Sequence, residues 1–132
     1  MRAIQSIEEL HIPADYKTYI SDFLQNLSDI PYISRVILFG SCAREQVHTH
    51  SDIDIFITAS REITLDEELY LLGELHPESA LGKKAFDIIV QPEEAFVKYI
   101  NSFGMVQKQI NAHGVDLSEP LRKCTGAREG RT

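Results

Sequence analysis

Tryptophan is absent from this chain, and cysteine occurs only twice in 132 residues. Cys42 and Cys124 form neither a disulfide framework nor a C-x-x-C pair. That excludes a disulfide-stapled scaffold and a thioredoxin-like motif, and suits a reducing compartment. No apolar run approaches the ~20 residues that a membrane-spanning helix needs. The opening "MRAIQSIEEL" has no apolar signal-peptide region, so the expected location is the cytoplasm. Basic residues are scarce as well: 13 Lys and Arg face 20 Asp and Glu, for a net charge of −7. The imbalance is uneven. From Leu121 onward Arg122, Lys123, Arg128 and Arg131 stand against Glu129 alone, a balance of +3 that leaves −10 on residues 1–120. An acidic body is a poor match for nucleic acid, whose affinity rests on Lys and Arg neutralising phosphates. It suits a small ligand whose charge is screened by metal ions, or a basic protein partner.

What is present is ordinary globular material, 43% apolar and 25% charged, in a length that holds one modest core. After Pro13, apolar residues recur at Tyr16, Tyr19, Ile20, Phe23, Leu24 and Leu27, one face of a helix ending near Pro31. "RVILF" (Arg35–Phe39) reads as a buried strand, Cys42–Val47 as one or two helical turns, and "SDIDIFIT" (Ser51–Thr58) as a second strand. "LDEELYLLGEL" reads as a helix with Leu65, Leu69 and Leu72 on one face. "AFDIIV" (Ala85–Val90) is a third strand, followed by a helix from Pro92 to about Ser102, a break at Gly104, and a further helix from Met105 to about Ala112. The expected fold is α/β (α+β): a small mixed sheet of three to four strands with flanking helices. Residues 1–118 are expected to form the domain, and 119–132 a disordered basic tail.

Asp52 and Asp54 are misfits in an Ile-rich strand. Successive strand side chains alternate in face, so the two carboxylates lie together while Ile53, Ile55 and Ile57 point into a core. Like charges a strand repeat apart repel unless a counter-charge joins them, which points to a hard cation such as Mg²⁺ with oxygen ligands. Asp87 is the other acid set in an apolar strand; if that strand lies beside the second, three carboxylates converge. Such a cluster can hold two Mg²⁺ ions for in-line phosphoryl displacement, one activating a hydroxyl and the other neutralising the leaving group, with Asp87 helping to take up the proton. Gly40-Ser41, at the end of the first strand, offers free N–H groups and a hydroxyl to an anion, and Arg44 a charge-assisted contact. Carboxylates beside a phosphate cradle suggest a nucleotide.

Gly40-Ser41, ten residues, then Asp52-Ile53-Asp54 resembles the G-S-x10-D-x-D signature of the DNA polymerase β-like nucleotidyltransferase superfamily, and Asp87 looks like its third aspartate. The short length and "QKQINAHGVDL" near the end resemble the minimal nucleotidyltransferase (MNT) group. The resemblance covers roughly residues 14 to 117. It implies a nucleoside triphosphate held with two Mg²⁺, and transfer of a nucleotidyl group, AMP from ATP, to a hydroxyl. It further implies the antitoxin of an MNT–HEPN toxin–antitoxin pair, with the helical HEPN protein as acceptor. Asp52, Asp54 and Asp87 are then catalytic and metal-binding, and Gly40, Ser41 and Arg44 nucleotide-binding. The pattern commonly has a second glycine four residues after the serine. Here that position is Glu45, expected to bring a negative charge towards the triphosphate.

Two other functions fit the same residues. A non-catalytic module of the same fold would neutralise its partner by occupying its surface, and Glu45 favours that reading. A transferase acting on an aminoglycoside-like small molecule would need a second copy to complete its wall. Cys42 reads as a packed small residue, and His48-x-His50 as a solvated loop rather than a metal site.

Overall fold

The computed structural model describes residues 1–102 and 105–129, with side chains through Cys124. The break expected at Gly104 lies outside the described residues, as does Arg131. In chain order the elements are β1 (Arg2–Ala3), α1 (Ala14–Leu27), β2 (Ile33–Phe39), α2 (Gly40–Ala43), β3 (Ile53–Ala59), α3 (Leu65–Glu74), β4 (Phe86–Pro92), α4 (Glu93–Tyr99), α5 (Val106–His113), β5 (Val115–Asp116) and α6 (Ser118–Glu129). Single 3₁₀ turns lie at Ile7–Glu9 and Glu78–Ala80.

The strands form one mixed sheet in the order β1-β5-β2-β3-β4. β2 runs antiparallel to β3 and β5, whereas β3 and β4 are parallel, as their crossover through α3 requires. The sheet has five strands rather than three to four. The two extra strands are two residues each, too short to leave an alternating pattern in sequence, and they exist only because β5 pairs with β2 across the fold.

The strand period sorts the core. Val36, Leu38, Ile53, Ile55 and Ile57 face one side, where they meet Tyr16, Ile20, Phe23, Leu24 and Leu27 of α1. Ile37 and Phe56 face the other, under Phe96 of α4 and Ile110 of α5. Phe23 is fully buried and stacks on Phe86 with ring centroids 5.0 Å apart. Phe23→Ala is therefore expected to cost about 3–5 kcal/mol, read as a lowered midpoint in urea unfolding with unchanged slope.

Two expectations are corrected. The apolar face read on α3 is not its core face: Leu65, Leu69 and Leu72 are 69%, 57% and 42% exposed, and Leu71 and Leu75 are buried instead. The helix start is set by a capping box, with Thr64 Oγ1 accepting from Glu67 N and Glu67 accepting from Thr64 N. From that start the Leu71 and Leu75 row, one helical repeat apart, is the one turned inward. The second correction concerns the tail. Residues 118–129 form α6, whose Leu121 and Cys124 pack on the α1 side of the core. Asp116 Oδ1 accepts from Ser118 N and Ser118 Oγ at its entry. Ser118-Glu119-Pro120 is a helix-start signal; the apolar stripe behind it is too narrow to announce a helix without α1 beside it.

Candidate active site

β2 ends at Phe39, and the chain turns at once through the four-residue α2. Gly40 takes φ +71°, a left-handed conformation that favours glycine. There is a second demand on it. A Cβ at Gly40 would come within 3.0 Å of Asp54 Cγ and overlap Asp54 Oδ2. The turn thus lies directly against the carboxylate, because Phe39 and Asp54 are register partners across β2 and β3.

Asp54 in turn pairs with Asp87 across β3 and β4. Alternation puts Asp54, Asp87 and Phe39 on the same face of the sheet, the one covered by α4 and α5. Asp54 is half-buried, whereas Asp52 and Asp87 are exposed. Burial first, then the negative charges of Asp87 and Asp52, push the Asp54 carboxyl up to about 6, against the pull of Arg44. A hydrogen bond that the protonated Asp54 carboxyl donates to the Asp87 carboxylate also raises it. The loop leading into Asp52 is held from α1: Tyr16 Oη donates to Ser51 O at 2.7 Å, and His48 N donates to Ser51 Oγ at 3.0 Å.

Among the described residues no three His, Cys, Asp or Glu side chains stand as a ready-made metal-binding group. Asp54 and Asp87 share a side-chain hydrogen bond, and Asp52, exposed just ahead of β3, acts on Asp54 through its charge. The donor set nonetheless fits a hard divalent cation: the ligands are all carboxylate oxygens, and the repulsion that raises Asp54 is what a cation's charge would relieve.

Glu45 overturns its expectation. Its φ of 58° makes it the one non-glycine residue with positive φ among the described residues, so it occupies the backbone conformation a glycine would take. Its carboxylate is engaged by the N-terminal segment: Arg2 Nη2 donates to Oε1 at 3.1 Å, His11 N to Oε2 at 2.8 Å, and His11 Nδ1 lies 3.1 Å away. The His11 N–H, and then the charges of His11 and Arg2, hold the carboxyl below its usual range. The negative charge is thereby neutralised locally. Glu45→Gly is expected to stay within about 1 kcal/mol of the parent, since relief of the left-handed strain offsets the lost contacts. Glu45→Ala keeps the strain and loses the contacts, so urea unfolding should rank it below Glu45→Gly; the reverse order would refute this account.

The remaining candidates separate cleanly. Ser41 follows Gly40 in the turn, half-buried, and Arg44 is exposed beside it. Cys42 is fully buried, with its thiol pushed up to about 11 by burial and by Asp54, so it is packing and not a nucleophile. His48 and His50 are exposed loop residues. Lys84 was not singled out from sequence. It donates from Nζ to Thr49 O at 2.5 Å, lies over the Tyr16 ring, and feels the charge of Asp52. The signal that could have found it is a lysine just ahead of the strand that carries Asp87.

No curated protein matches this chain. Solved structures do. One is a toxin–antitoxin protein in a structure with AMP-PNP, 21% identical over 89% of each chain, with a TM-score of 0.50. A mutant of the MntA-HpeT toxin–antitoxin is 21% identical over 86% of each chain, with a TM-score of 0.46. A Sulfolobus solfataricus protein assigned to the nucleotidyltransferases is 21% identical over 65% of this chain and 80% of its own, with a TM-score of 0.43. Identities this low speak to fold. Among the described residues no helix is long and apolar enough to cross a membrane. The model of the family "Polymerase beta, Nucleotidyltransferase" matches residues 19–119, which takes in the Gly40 turn and all three aspartates. That match spans well over half of the sequence, and the chain belongs to the polymerase beta nucleotidyltransferase family and is a nucleotidyltransferase.

Proposed function

We propose that this nucleotidyltransferase moves AMP from ATP to a hydroxyl on a partner protein, with Mg²⁺ held by Asp52, Asp54 and Asp87. The observation that carries the reading is the direct pairing of Asp54 with Asp87 under the Gly40 turn. It sets a divalent-cation donor set against a backbone turn open to phosphate. Gly40, Ser41 and Arg44 hold the triphosphate. When bound, Mg²⁺ lowers the barrier by neutralising charge on the attacking and leaving oxygens. Asp87, exposed at the strand entry, accepts the acceptor hydroxyl's proton. The hydroxyl oxygen bonds to the α-phosphorus as the bond to the bridging oxygen breaks, and pyrophosphate leaves.

A protein acceptor is supported by α3. Its exposed stripe of Leu65, Leu69, Tyr70 and Leu72 is flanked by Asp66, Glu67, Glu68 and Glu74, with no basic residue in the helix. An apolar stripe with acidic margins fits a basic helical surface on another protein. The sequence resemblance to the MNT group makes a HEPN-type protein that partner, and this chain the antitoxin. Cytoplasmic operation follows from the same pairing. Leu69→Asp is expected to weaken partner binding roughly tenfold or more while leaving stability within about 0.5 kcal/mol. Calorimetric titration with the partner, beside a thermal melt, separates the two effects.

The reading as a non-catalytic module rested on Glu45, and that residue's engagement with Arg2 and His11 removes its support. The decisive experiment incubates the protein with labelled ATP, Mg²⁺ and the product of the neighbouring gene. Label on the partner, lost with Asp52→Ala and Asp54→Ala, is the expected result. No transfer by the parent protein, or equal transfer by the variants, overturns the catalytic reading.

A further inference from the structure

Beside the phosphate turn, between β2 and α5, lies a cavity of about 90 Å³. Gly40 and Arg44 form its end nearest the turn, Phe39 and Ile110 form apolar wall, and Gln109 and His113 of α5 bring polar groups to it. We infer that this groove between β2 and α5 seats the nucleobase of the nucleotide, with Gln109 and His113 reading its edge. The inference rests on the proposed nucleotide chemistry and extends it to a base-binding subsite.

Continuity is the first argument. The groove shares Gly40 and Arg44 with the phosphate turn, so one ligand entering both must carry an anionic group joined to a flat apolar one, which is the build of a nucleotide. Its placement is the second. Phe39 stands on the same face of the sheet as Asp54 and Asp87, and α5 packs on that face through Ile110. A nucleotide whose phosphates face the carboxylates therefore has its base directed along the face that α5 covers. Chemistry is the third. Phe39 and Ile110 offer apolar and aromatic surface to a ring, and base–aromatic contact is sequence-tolerant. Selection then falls to the edge. A glutamine amide offers one donor and one acceptor side by side, the complement of the amino group and ring nitrogen of adenine, whereas guanine's paired acceptors call for two donors. Gln109 thus favours adenine, and the imidazole of His113 adds a second polar contact from the same helix face.

The test titrates the protein and Mg²⁺ with non-hydrolysable ATP and GTP analogues and with inorganic tripolyphosphate. Gln109 and Val106 are exposed and Val106 also lines the groove, so Gln109→Ala and Val106→Asp should keep the parent melting temperature. The expected result is tighter binding of the ATP analogue than of tripolyphosphate. Val106→Asp should erase that gap, and Gln109→Ala should lower the ATP-over-GTP ratio by roughly tenfold with tripolyphosphate affinity unchanged. Methyl NMR signals of Val106 and Ile110 should shift with the ATP analogue and not with tripolyphosphate. Equal affinity of the parent for ATP analogue and tripolyphosphate, or variants that bind the analogue like the parent, overturns the base groove and leaves the phosphate site standing. Failure of the parent to bind either ligand overturns the nucleotide reading itself.

Discussion

Asp54→Asn is expected to make the cation-free protein more stable at pH 7 while sharply lowering nucleotidyl transfer. Burial and the neighbouring aspartates raise Asp54 to about 6 in the folded protein, well above an unperturbed aspartate near 3.9. Between about pH 4 and 6 the folded state therefore holds more of this proton than the unfolded chain does. Stability falls as pH rises through that window and levels off above it. At pH 7 the parent carries the whole penalty. Raising the carboxyl to about 6 corresponds to about 3 kcal/mol at most, and solvent screening of a half-exposed group reduces it to about 1 kcal/mol. Asparagine keeps the shape and has no charge to destabilise, so the variant should melt about 4 °C higher at pH 7 in chelator and equal to the parent at pH 4. Added Mg²⁺ should raise the parent's melting temperature and leave the variant's unchanged. Transfer should drop roughly 10³-fold, because Asp54 lies at the centre of the carboxylate pair. A variant no more stable at pH 7 than at pH 4, relative to the parent, would show that the repulsion is not stored in the fold.

Gly40→Ala is expected to cost about 2–4 kcal/mol and most of the activity. The backbone at φ +71° costs any residue with a Cβ about 1–2 kcal/mol. The new methyl would also overlap Asp54 Oδ2, and relieving that overlap by moving a strand-bound carboxylate adds about 1–2 kcal/mol. The two parts can be separated. In an Asp54→Ala background the overlap with the carboxylate is gone, so Gly40→Ala should cost only the backbone share. A double-mutant cycle by urea unfolding should therefore return a coupling of about 1 kcal/mol or more between positions 40 and 54. Additive costs would mean that the turn and the carboxylate are not in contact. The glycine proposed to let the turn approach phosphate is also the glycine that makes room for Asp54.

The candidate site residues stood out before the fold was known, for a physical reason. Charged residues inside an apolar strand pattern are costly unless they have a use, so Asp52, Asp54 and Asp87 stood out against their isoleucine neighbours. Period-2 alternation then assigned Asp52 and Asp54 to one face without any tertiary knowledge. The face of α1 was legible in the same way, and all six of its expected apolar residues are buried. Glu45 was not. Its position in the pattern was clear, but the direction of its side chain depends on Arg2 and His11, which the chain brings back from far upstream. Lys84 was hidden for a like cause, since its tie to Thr49 spans 35 residues.

Local rules therefore determined, from sequence alone, the order of the elements from α1 to α5, the core face of α1 and the Gly40 turn. These follow from steric and periodic constraints acting within a few residues. Tertiary structure alone decided that Asp87 stands opposite Asp54, that α3 turns Leu65, Leu69 and Leu72 outward, that α6 folds onto α1, and that α5 closes a groove beside Gly40. Each of those depends on which distant surfaces meet, and pairing across the sheet is set by the burial of whole faces rather than by any one segment's pattern.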